Sequence, residues 1–238
     1  MAAGAGVISA VDAPLATIVI DRPSRRNALD RPALRALVDA IAAADADPRV
    51  AAIVVTGIDP AFCAGVDLKA DPAAGVVASP LEGEPWPHRS TVLIAAVNGP
   101  AVTGGLELVL ACDFAIASDR ASFADTHVGL GSFPFWGLTA RLPRAVGAAR
   151  ARQMCLTGEF IDAATALQWG LVNEVVPHED LLKRASELAR GVAAADPGAR
   201  LAMFERLRDR LDDDLMAERA VALEWHAQLP PDHWNRTR

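Results

Sequence analysis

The sequence has few cysteines, no surplus of basic residues and no long apolar run, and each lack excludes a class of protein. Its three cysteines, Cys63, Cys112 and Cys155, lie in apolar surroundings without CxxC spacing, so we expect reduced, buried thiols. Lys and Arg number 23 against 30 Asp and Glu, which argues against nucleic-acid binding but leaves room for a local basic patch for a small anion. No stretch is long enough to cross a membrane, and the N-terminus lacks a secretion signal. We therefore expect a cytoplasmic protein.

Several motifs of catalysis and metal binding are also missing. The chain has no GxxxxGK[ST] phosphate loop, no HExxH and no His/Cys cluster with zinc spacing, so we expect no metal site. Ser122 lies near Asp125 and His127 in sequence, but no GxSxG elbow supports a serine-hydrolase triad.

At 238 residues and 52% apolar composition, the chain is long enough for one large domain or a core with an appendage. Strand and helix patterns alternate along it, which predicts an α/β fold with layers of sheet and helix. Predicted strands cover residues 7–11, 16–20, 50–57, 92–97, 114–118, 121–124 and 172–176. Predicted helices cover 30–47, a segment from 105, 148–155, 163–169, 180–191, 199–211 and 215–228. Asp30 is the candidate N-cap of the first, Asp162 caps the helix 163–169, and Gly170 ends it.

The segment 98–113, NGPAVTGGLELVLACD, combines a turn, paired glycines and an apolar helix broken only by Glu107. Glycines at a helix start let another molecule approach the backbone, where free N–H groups favour negative charge. One interpretation is an oxyanion site beside a carboxylate that transfers protons. The other is that Gly104 and Gly105 serve close packing and Glu107 complements the helix dipole.

A second segment favours the first interpretation. The predicted strand 50–57 leads into a loop with the sequence Ala64-Gly65-Val66-Asp67, which also presents backbone N–H groups. Two such loops facing one another supply two donors to one carbonyl oxygen, as an oxyanion hole requires.

Five segments then resemble the crotonase superfamily, the enoyl-CoA hydratase/isomerase family, in the family's order. They are DRPSRRNAL (21–29), AFCAGVDLK (61–69), 98–113, FADTHVGLGSFPFWG (123–137) and ALQWGLVNEVV (166–176). The resemblance implies a spiral of ββα units, with residues 1–195 as a core that holds the acyl-CoA site. It also implies a C-terminal helical region, 196–238, that assembles a homotrimer or a dimer of trimers.

The resemblance further implies a hydro-lyase that adds water to a 2-enoyl-CoA. The oxyanion donors would be the backbone N–H groups of Val66 and Gly104, and the first catalytic carboxylate would be Glu107. Family hydratases carry a second carboxylate in a Pro-Glu pair after Phe123, whereas this chain has Thr126-His127.

His127 therefore has three interpretations. Its imidazole replaces the missing carboxylate as a proton donor or acceptor, since histidine titrates near neutrality. Alternatively, it orients water or a polar acyl group while Glu107 acts alone. In the third interpretation it is structural, with its ring bonded to Asp125 or to a backbone carbonyl.

The substrate-binding residues follow from the same resemblance, and coenzyme A enters only as part of the substrate, with no other cofactor. The set comprises Arg25, Arg26, Ala28, Ala64, Asp67, Leu68, Lys69, Gly105 and Trp136. The alternative is that its arginines and lysine are ordinary surface charges and that its tryptophan belongs to the core. A proline-rich loop at 71–87, with Trp86 in it, would lie over the acyl pocket as a lid or binding segment, or be disordered.

Two other functions fit the same sequence. One is a different reaction on the same oxyanion hole, either double-bond isomerisation or thioester hydrolysis. The other is a non-catalytic acyl-CoA binding or assembly subunit. The presence of Glu107 argues against this function, whereas His127 in place of the second carboxylate is compatible with it.

Overall fold

The computed structural model describes residues 2–70, 84–207, 211–230 and 233. Its strands are β1 (Ala2–Gly4), β2 (Val7–Asp12), β3 (Leu15–Ile20), β4 (Ala52–Gly57), β5 (Val92–Val97), β6 (Ala101–Val102), β7 (Phe114–Ser118), β8 (Ser122–Ala124), β9 (Ile161–Asp162) and β10 (Glu174–Val176). Its α-helices are α1 (Arg31–Asp45), α2 (Gly104–Leu110), α3 (Leu138–Val146), α4 (Ala148–Thr157), α5 (Ala163–Trp169), α6 (Leu181–Ala194), α7 (Pro197–Leu207) and α8 (Asp212–Ala227).

Seven strands form the main sheet in the order β1-β2-β3-β4-β5-β7-β10. The first three strands pair antiparallel, and every pair from β3 to β10 is parallel. A small second sheet has the order β6-β8-β9. The predicted α/β class is therefore confirmed.

The central parallel strands β4 and β5 are almost entirely apolar because both faces of the sheet are covered. In β4, Ile53 and Val55 face the main core, whereas Ala52 and Val54 face the other side and pack with Leu181 of α6. This alternation is the period of two that a strand imposes on its side chains.

Two helices begin where their sequences predict, and the second also ends where predicted. Asp30 caps α1 by accepting a hydrogen bond from the Ala33 N–H at 2.9 Å, and Asp162 caps α5 through the Thr165 N–H at 2.8 Å. Gly170 ends α5 in a left-handed conformation with φ +83°.

Several sequence predictions need correction. Helix α3 was not predicted, because Pro143 lies inside it and proline usually breaks a helix. Helix α6 runs past Gly191 to Ala194, and α7 begins at Pro197 rather than at 199. The predicted end of α7 follows residues 208–210, which lie outside the described part of the chain. The last strand begins at 174 rather than 172.

The cysteines and the proline-rich loop have mixed outcomes. All three thiols are free, but only Cys63 is fully buried, while Cys112 and Cys155 are partly exposed. Residues 71–83 of the predicted loop lie outside the described part of the chain. Trp86 lies in the main core and is only 2% exposed, so it ties the described end of the loop to the core.

The loops that follow β4 and β5 lie at the carboxyl ends of neighbouring parallel strands. Ligands in open α/β sheets usually bind at this end. The first loop reaches Val66 and pairs with Leu29, and the second leads through β6 into α2.

Candidate active site

A cavity of about 110 Å³ lies between these two loops and α2. The first loop contributes Ala64, Val66 and Leu68 to its wall, and the second contributes Thr103, Gly104 and Glu107. His127 and Trp136 also line it. The fold thus places residues from three of the five motif segments, 61–69, 98–113 and 123–137, around one space.

The backbone N–H groups of Val66 and Gly104 are the two donors expected from the sequence. Neither donates a hydrogen bond within the described ranges of the chain. The loop of Val66 is held on both sides, because the Leu29 N–H bonds the Gly65 carbonyl at 2.7 Å and the Asp67 N–H bonds the Leu29 carbonyl at 2.9 Å. Two backbone donors on one cavity form the arrangement of an oxyanion hole.

Glycine is required where the loops meet. Gly65 has φ +89°, and a Cβ built on it would lie 3.0 Å from the Gly104 nitrogen. A Cβ on Gly105 would lie 2.0 Å from the Cys63 carbonyl oxygen, so no side chain fits there. Gly105 therefore serves close packing and, unlike Gly104, does not line the cavity.

Thr103, immediately before α2, has the left-handed angle φ +57°. Its N–H bonds the Ala124 carbonyl at 2.9 Å, and its hydroxyl lies 2.6 Å from the hydroxyl of Thr126. Such a conformation costs a non-glycine residue roughly 1–3 kcal/mol and is typical of functional sites. The hydrogen bonds to Ala124 and Thr126 fix the turn at Thr103 and so fix the direction of the Gly104 N–H.

Glu107 is 2% exposed and is held by the backbone of the segment before α3. Its Oε1 accepts hydrogen bonds from the Trp136 N–H at 2.6 Å and the Phe135 N–H at 3.2 Å. Burial raises the pKa of Glu107 to about 7, although the positive charge of His127 opposes this rise. A carboxyl group with such a pKa can gain or lose a proton near neutrality.

His127 is the partner of Glu107. Its Nε2 lies 3.8 Å from Glu107 Oε2, and its Nδ1 lies 2.6 Å from Oδ1 of Asp125. Burial lowers the pKa of His127, but the Asp125 hydrogen bond and the negative charge of Glu107 outweigh burial and leave this pKa above its ordinary value. The Asp125 contact of the structural interpretation is thus present, while the other ring nitrogen remains directed toward the cavity carboxylate.

The predicted binding residues fall into two groups. Ala64, Leu68 and Trp136 line the cavity, and Trp136 also places its backbone N–H on Glu107. Among the described residues, Arg25, Arg26, Ala28, Asp67, Lys69 and Gly105 do not line it.

The charged members of the second group lie around the loop of Val66. The Asp67 carboxylate is 3.4 Å from Arg22 and 3.9 Å from Arg25, and it is only 6% exposed. Arg25 is 52% exposed at its side chain, and the Arg26 carbonyl accepts a hydrogen bond from the Ala64 N–H at 3.0 Å. Asp67 therefore braces the loop, while the exposed cations remain free to meet a ligand.

Helix α8 contributes to the site in a way that the sequence did not predict. Buried Glu218 accepts hydrogen bonds from the N–H groups of Gly137 and Thr139, both at 2.6 Å, and from the Thr139 hydroxyl. This carboxylate caps α3 and fixes the segment that carries Trp136. A single glutamate in a helix about eighty residues away along the chain gave no signal of this contact.

A second link from α8 reaches the same segment. Ser132, which lines the cavity, lies 3.1 Å from Nε2 of His226, and Trp225 donates its indole N–H to the Gly131 carbonyl at 3.0 Å. The ring of His226 also contacts Phe135, with centroids 5.4 Å apart. The C-terminal helix therefore supports one wall of the cavity.

A buried carboxylate and two backbone donors that have no acceptor among the described residues lie on one α/β cavity. They define a site for acyl-group chemistry through a stabilised oxyanion. The chain belongs to the enoyl-CoA hydratase/isomerase family, whose profile matches residues 11–233.

Individual relatives agree with this membership. The crotonyl-CoA hydratase of Syntrophomonas wolfei is 38% identical, with 74% of this chain and 70% of that protein covered. The crystal structure of an enoyl-CoA hydratase from Mycobacterium avium superposes with a TM-score of 0.87 at 40% identity, covering 93% of this chain and 97% of that one. An enoyl-CoA hydratase from Mycobacterium tuberculosis H37Rv gives 0.87 at 39% identity, covering 94% and 100%. The predicted crotonase fold is confirmed.

Two negative findings apply to the described residues. None of the helices there is both long and apolar enough to span a membrane. No group of three or more His, Cys, Asp or Glu side chains in those ranges is arranged to hold a metal ion.

Proposed function

We propose that this protein is an enoyl-CoA hydratase, which adds water to the double bond of a 2-enoyl-CoA. The observation that carries the proposal is that the Val66 and Gly104 backbone donors meet the Glu107–His127 pair in one cavity. The enoyl-CoA and crotonyl-CoA hydratases among the relatives support it. No cofactor beyond the substrate's own coenzyme A is required for this reaction.

The thioester carbonyl oxygen accepts hydrogen bonds from the Val66 and Gly104 N–H groups. Attack of water at C3 moves negative charge onto this oxygen, so donors fixed in advance stabilise the transition state more than the substrate. Loss of one such donor typically costs about 10²–10³ in kcat.

The attacking water lies between Glu107 and His127. With Oε2 and Nε2 separated by 3.8 Å, the two atoms are too far apart for a direct hydrogen bond. One water oxygen can lie about 2.8 Å from both atoms at the same time and form a hydrogen bond with each. One carboxylate and one imidazole thus orient the nucleophile.

The protons balance with Glu107 as base and His127 as acid. Ionised Glu107 accepts a proton from the water as its oxygen bonds to C3, and protonated His127 gives its Nε2 proton to C2 as the double bond is lost. A second water then takes the place of the one consumed. It accepts the proton from Glu107 and gives one of its own to Nε2, and so bridges the 3.8 Å between the two side chains. Water has been added and both side chains are back in their starting states.

Coenzyme A is held by residues outside the cavity. Arg25, Arg26 and Lys69 are exposed cations on the segments around the Val66 loop, and cations bind phosphate oxygens through charge-assisted hydrogen bonds. Leu68 and Trp136 contact the acyl end. This division gives the cationic and apolar members of the predicted set separate roles.

The proposed oligomer is a homotrimer or a dimer of trimers, assembled through region 196–238 outside a core of residues 1–195. Large apolar side chains on α7 and α8 are exposed in the single chain, among them Met203 (59%), Leu207 (73%) and Met216 (60%). Light scattering should give a trimer mass or a multiple of it, and Leu207→Glu should lower the mass. A monomeric wild type would contradict the assembly.

We also propose that the protein is located in the cytoplasm.

Turnover separates an enzyme from a binding subunit. Crotonyl-CoA and longer 2-enoyl-CoAs are each mixed with the wild type, and both the conjugated-thioester absorbance and calorimetric binding are measured. Loss of absorbance with a 3-hydroxyacyl-CoA product supports the hydratase. Binding without any loss supports the binding subunit, and release of free coenzyme A supports thioester hydrolysis.

A further inference from the structure

We propose that Asp125 is a positioning residue, which keeps His127 protonated at Nδ1 and stabilises its imidazolium form, so that His127 acts as the acid at the place of the second carboxylate. The inference rests on the proposed function for its catalytic consequence. Its structural content, the protonation state of His127, is independent of turnover.

The geometry fixes the ring. Asp125 is 2% exposed, and its Oδ1 accepts hydrogen bonds from both Nδ1 and the backbone N–H of His127, at 2.6 and 3.2 Å. Asp125 directly follows β8, and β8 pairs with β6 next to Thr103. The carboxylate is therefore held by the same strands that place the Gly104 donor.

The chemistry of the pair sets the tautomer. An ionised carboxylate only accepts hydrogen bonds, so Nδ1 must carry the proton of the short contact. Nε2 then faces Glu107, and it acts as an acceptor in the neutral ring and as a donor in the charged ring. Only the charged ring can deliver a proton to the substrate.

A buried histidine without Asp125 would favour the neutral form, because burial lowers its pKa. The other groups that act on His127 are the carboxylates of Glu107 on α2 and Glu218 on α8, together with His226 on α8. Glu107 loses its negative charge for part of each turnover, because it becomes neutral when it accepts a proton as the base. Asp125 is the carboxylate in hydrogen-bond contact with the ring. It neither gives nor takes a proton in the proposed steps, so its charge acts on His127 throughout the reaction.

Cys155 of α4 completes the surroundings of Asp125. Burial raises the pKa of this thiol, and the negative charge of Asp125 raises it further. A neutral thiol is a weak donor and leaves the charge of Asp125 in place.

The test is Asp125→Asn, which keeps an acceptor oxygen and removes the charge. The pH profile of kcat/KM and the NMR titration of the His127 ring nitrogens are measured. We expect the His127 pKa and the alkaline limb of the profile to move to lower pH together. We also expect kcat at pH 8 to fall by about 10²-fold or more with little change in KM.

The matched control is Asp162→Asn. Asp162 pairs with Ser122 in the neighbouring strand, and asparagine retains the capping role, so its pH profile should equal that of the wild type. An Asp125→Asn variant with an unchanged His127 titration and an unchanged alkaline limb would overturn the proposal.

A wild-type measurement keeps the proposal testable if that variant does not fold. The His127 ring should titrate above 6.5, the ordinary value, with its Nδ1 proton in a strong hydrogen bond. Titration below that value would also overturn the proposal. If the ring behaves as expected but no 2-enoyl-CoA is hydrated, the positioning role stands and the proposed hydratase function fails.

Discussion

Nε2 of His127 lies 3.8 Å from Oε2 of Glu107, and both side chains line the cavity that contains the two unpaired backbone donors. The family pattern places a second carboxylate where this chain has His127. The pair therefore joins a carboxylate and an imidazole in one acid–base unit, and each half can be tested separately.

Replacement of His127 should depend on whether the new side chain can carry a proton. His127→Gln retains polarity but cannot supply an acid, so kcat should fall by about 10²–10⁴-fold. His127→Glu restores the family carboxylate, so its kcat should exceed that of His127→Gln. Steady-state rates with crotonyl-CoA measure both. Wild-type activity in His127→Gln would contradict the role of His127 as acid.

The pH dependence of the wild type should be bell-shaped. Glu107 must be ionised to act as base, and its pKa is raised to about 7, so kcat/KM should rise with pH through that region. His127 must be protonated, and its pKa is also raised, so activity should fall only at a pH above the ordinary histidine value. A profile flat from pH 6 to 9 would argue against this pair.

Stability should show the cost of the buried carboxylate. The pKa of Glu107 rises from 4.5 to about 7 on folding, so this group favours the folded state below 4.5 and loses that contribution as pH approaches 7. Glu107→Gln should therefore have a higher unfolding midpoint than the wild type at pH 8, by about 2–4 °C for each kcal/mol regained. The two should converge at pH 4.

A surface glutamate gives the opposite control. The hydrogen bond from Arg184 lowers the pKa of Glu174, so Glu174→Gln should leave the midpoint at pH 8 equal or lower. A Glu107→Gln variant that is less stable than the wild type at pH 8 would show that its ionised form is not penalised.

Glu218 should link the C-terminal helix to activity. Glu218→Ala leaves the N–H groups of Gly137 and Thr139 without their acceptor, at a cost of roughly 1–3 kcal/mol. Thermal melts should show a lower midpoint, and kcat should fall because the segment of Trp136 that positions Glu107 loosens. Glu224→Ala, at an exposed position of the same helix, is the control and should change neither quantity.

The sequence was most informative where function is carried by backbone and by local pattern. The loops of Val66 and Gly104 were predicted because strand, turn and glycine follow one another along the chain. The capped starts of α1 and α5 were predicted because capping acts over three residues.

Contacts between distant segments could not be predicted in this way. The Gly137 N–H donates to Glu218, which lies 81 positions away along the chain. Arg22 pairs with Asp67, which lies 45 positions away. Their partners are chosen by tertiary packing, which no local pattern records. The Asp125–His127 bond was among the open alternatives, but its length and the direction of Nε2 required the structure.

The most direct test of the account compares crotonyl-CoA hydration by the wild type and by Glu107→Gln, with the product identified by mass and binding measured in parallel. We expect the wild type to form 3-hydroxybutyryl-CoA and the variant to bind the substrate but turn it over about 10²–10⁴-fold more slowly. Equal rates in the two proteins, or binding without hydration by the wild type, would contradict the assignment of Glu107 and His127 as the hydrating pair.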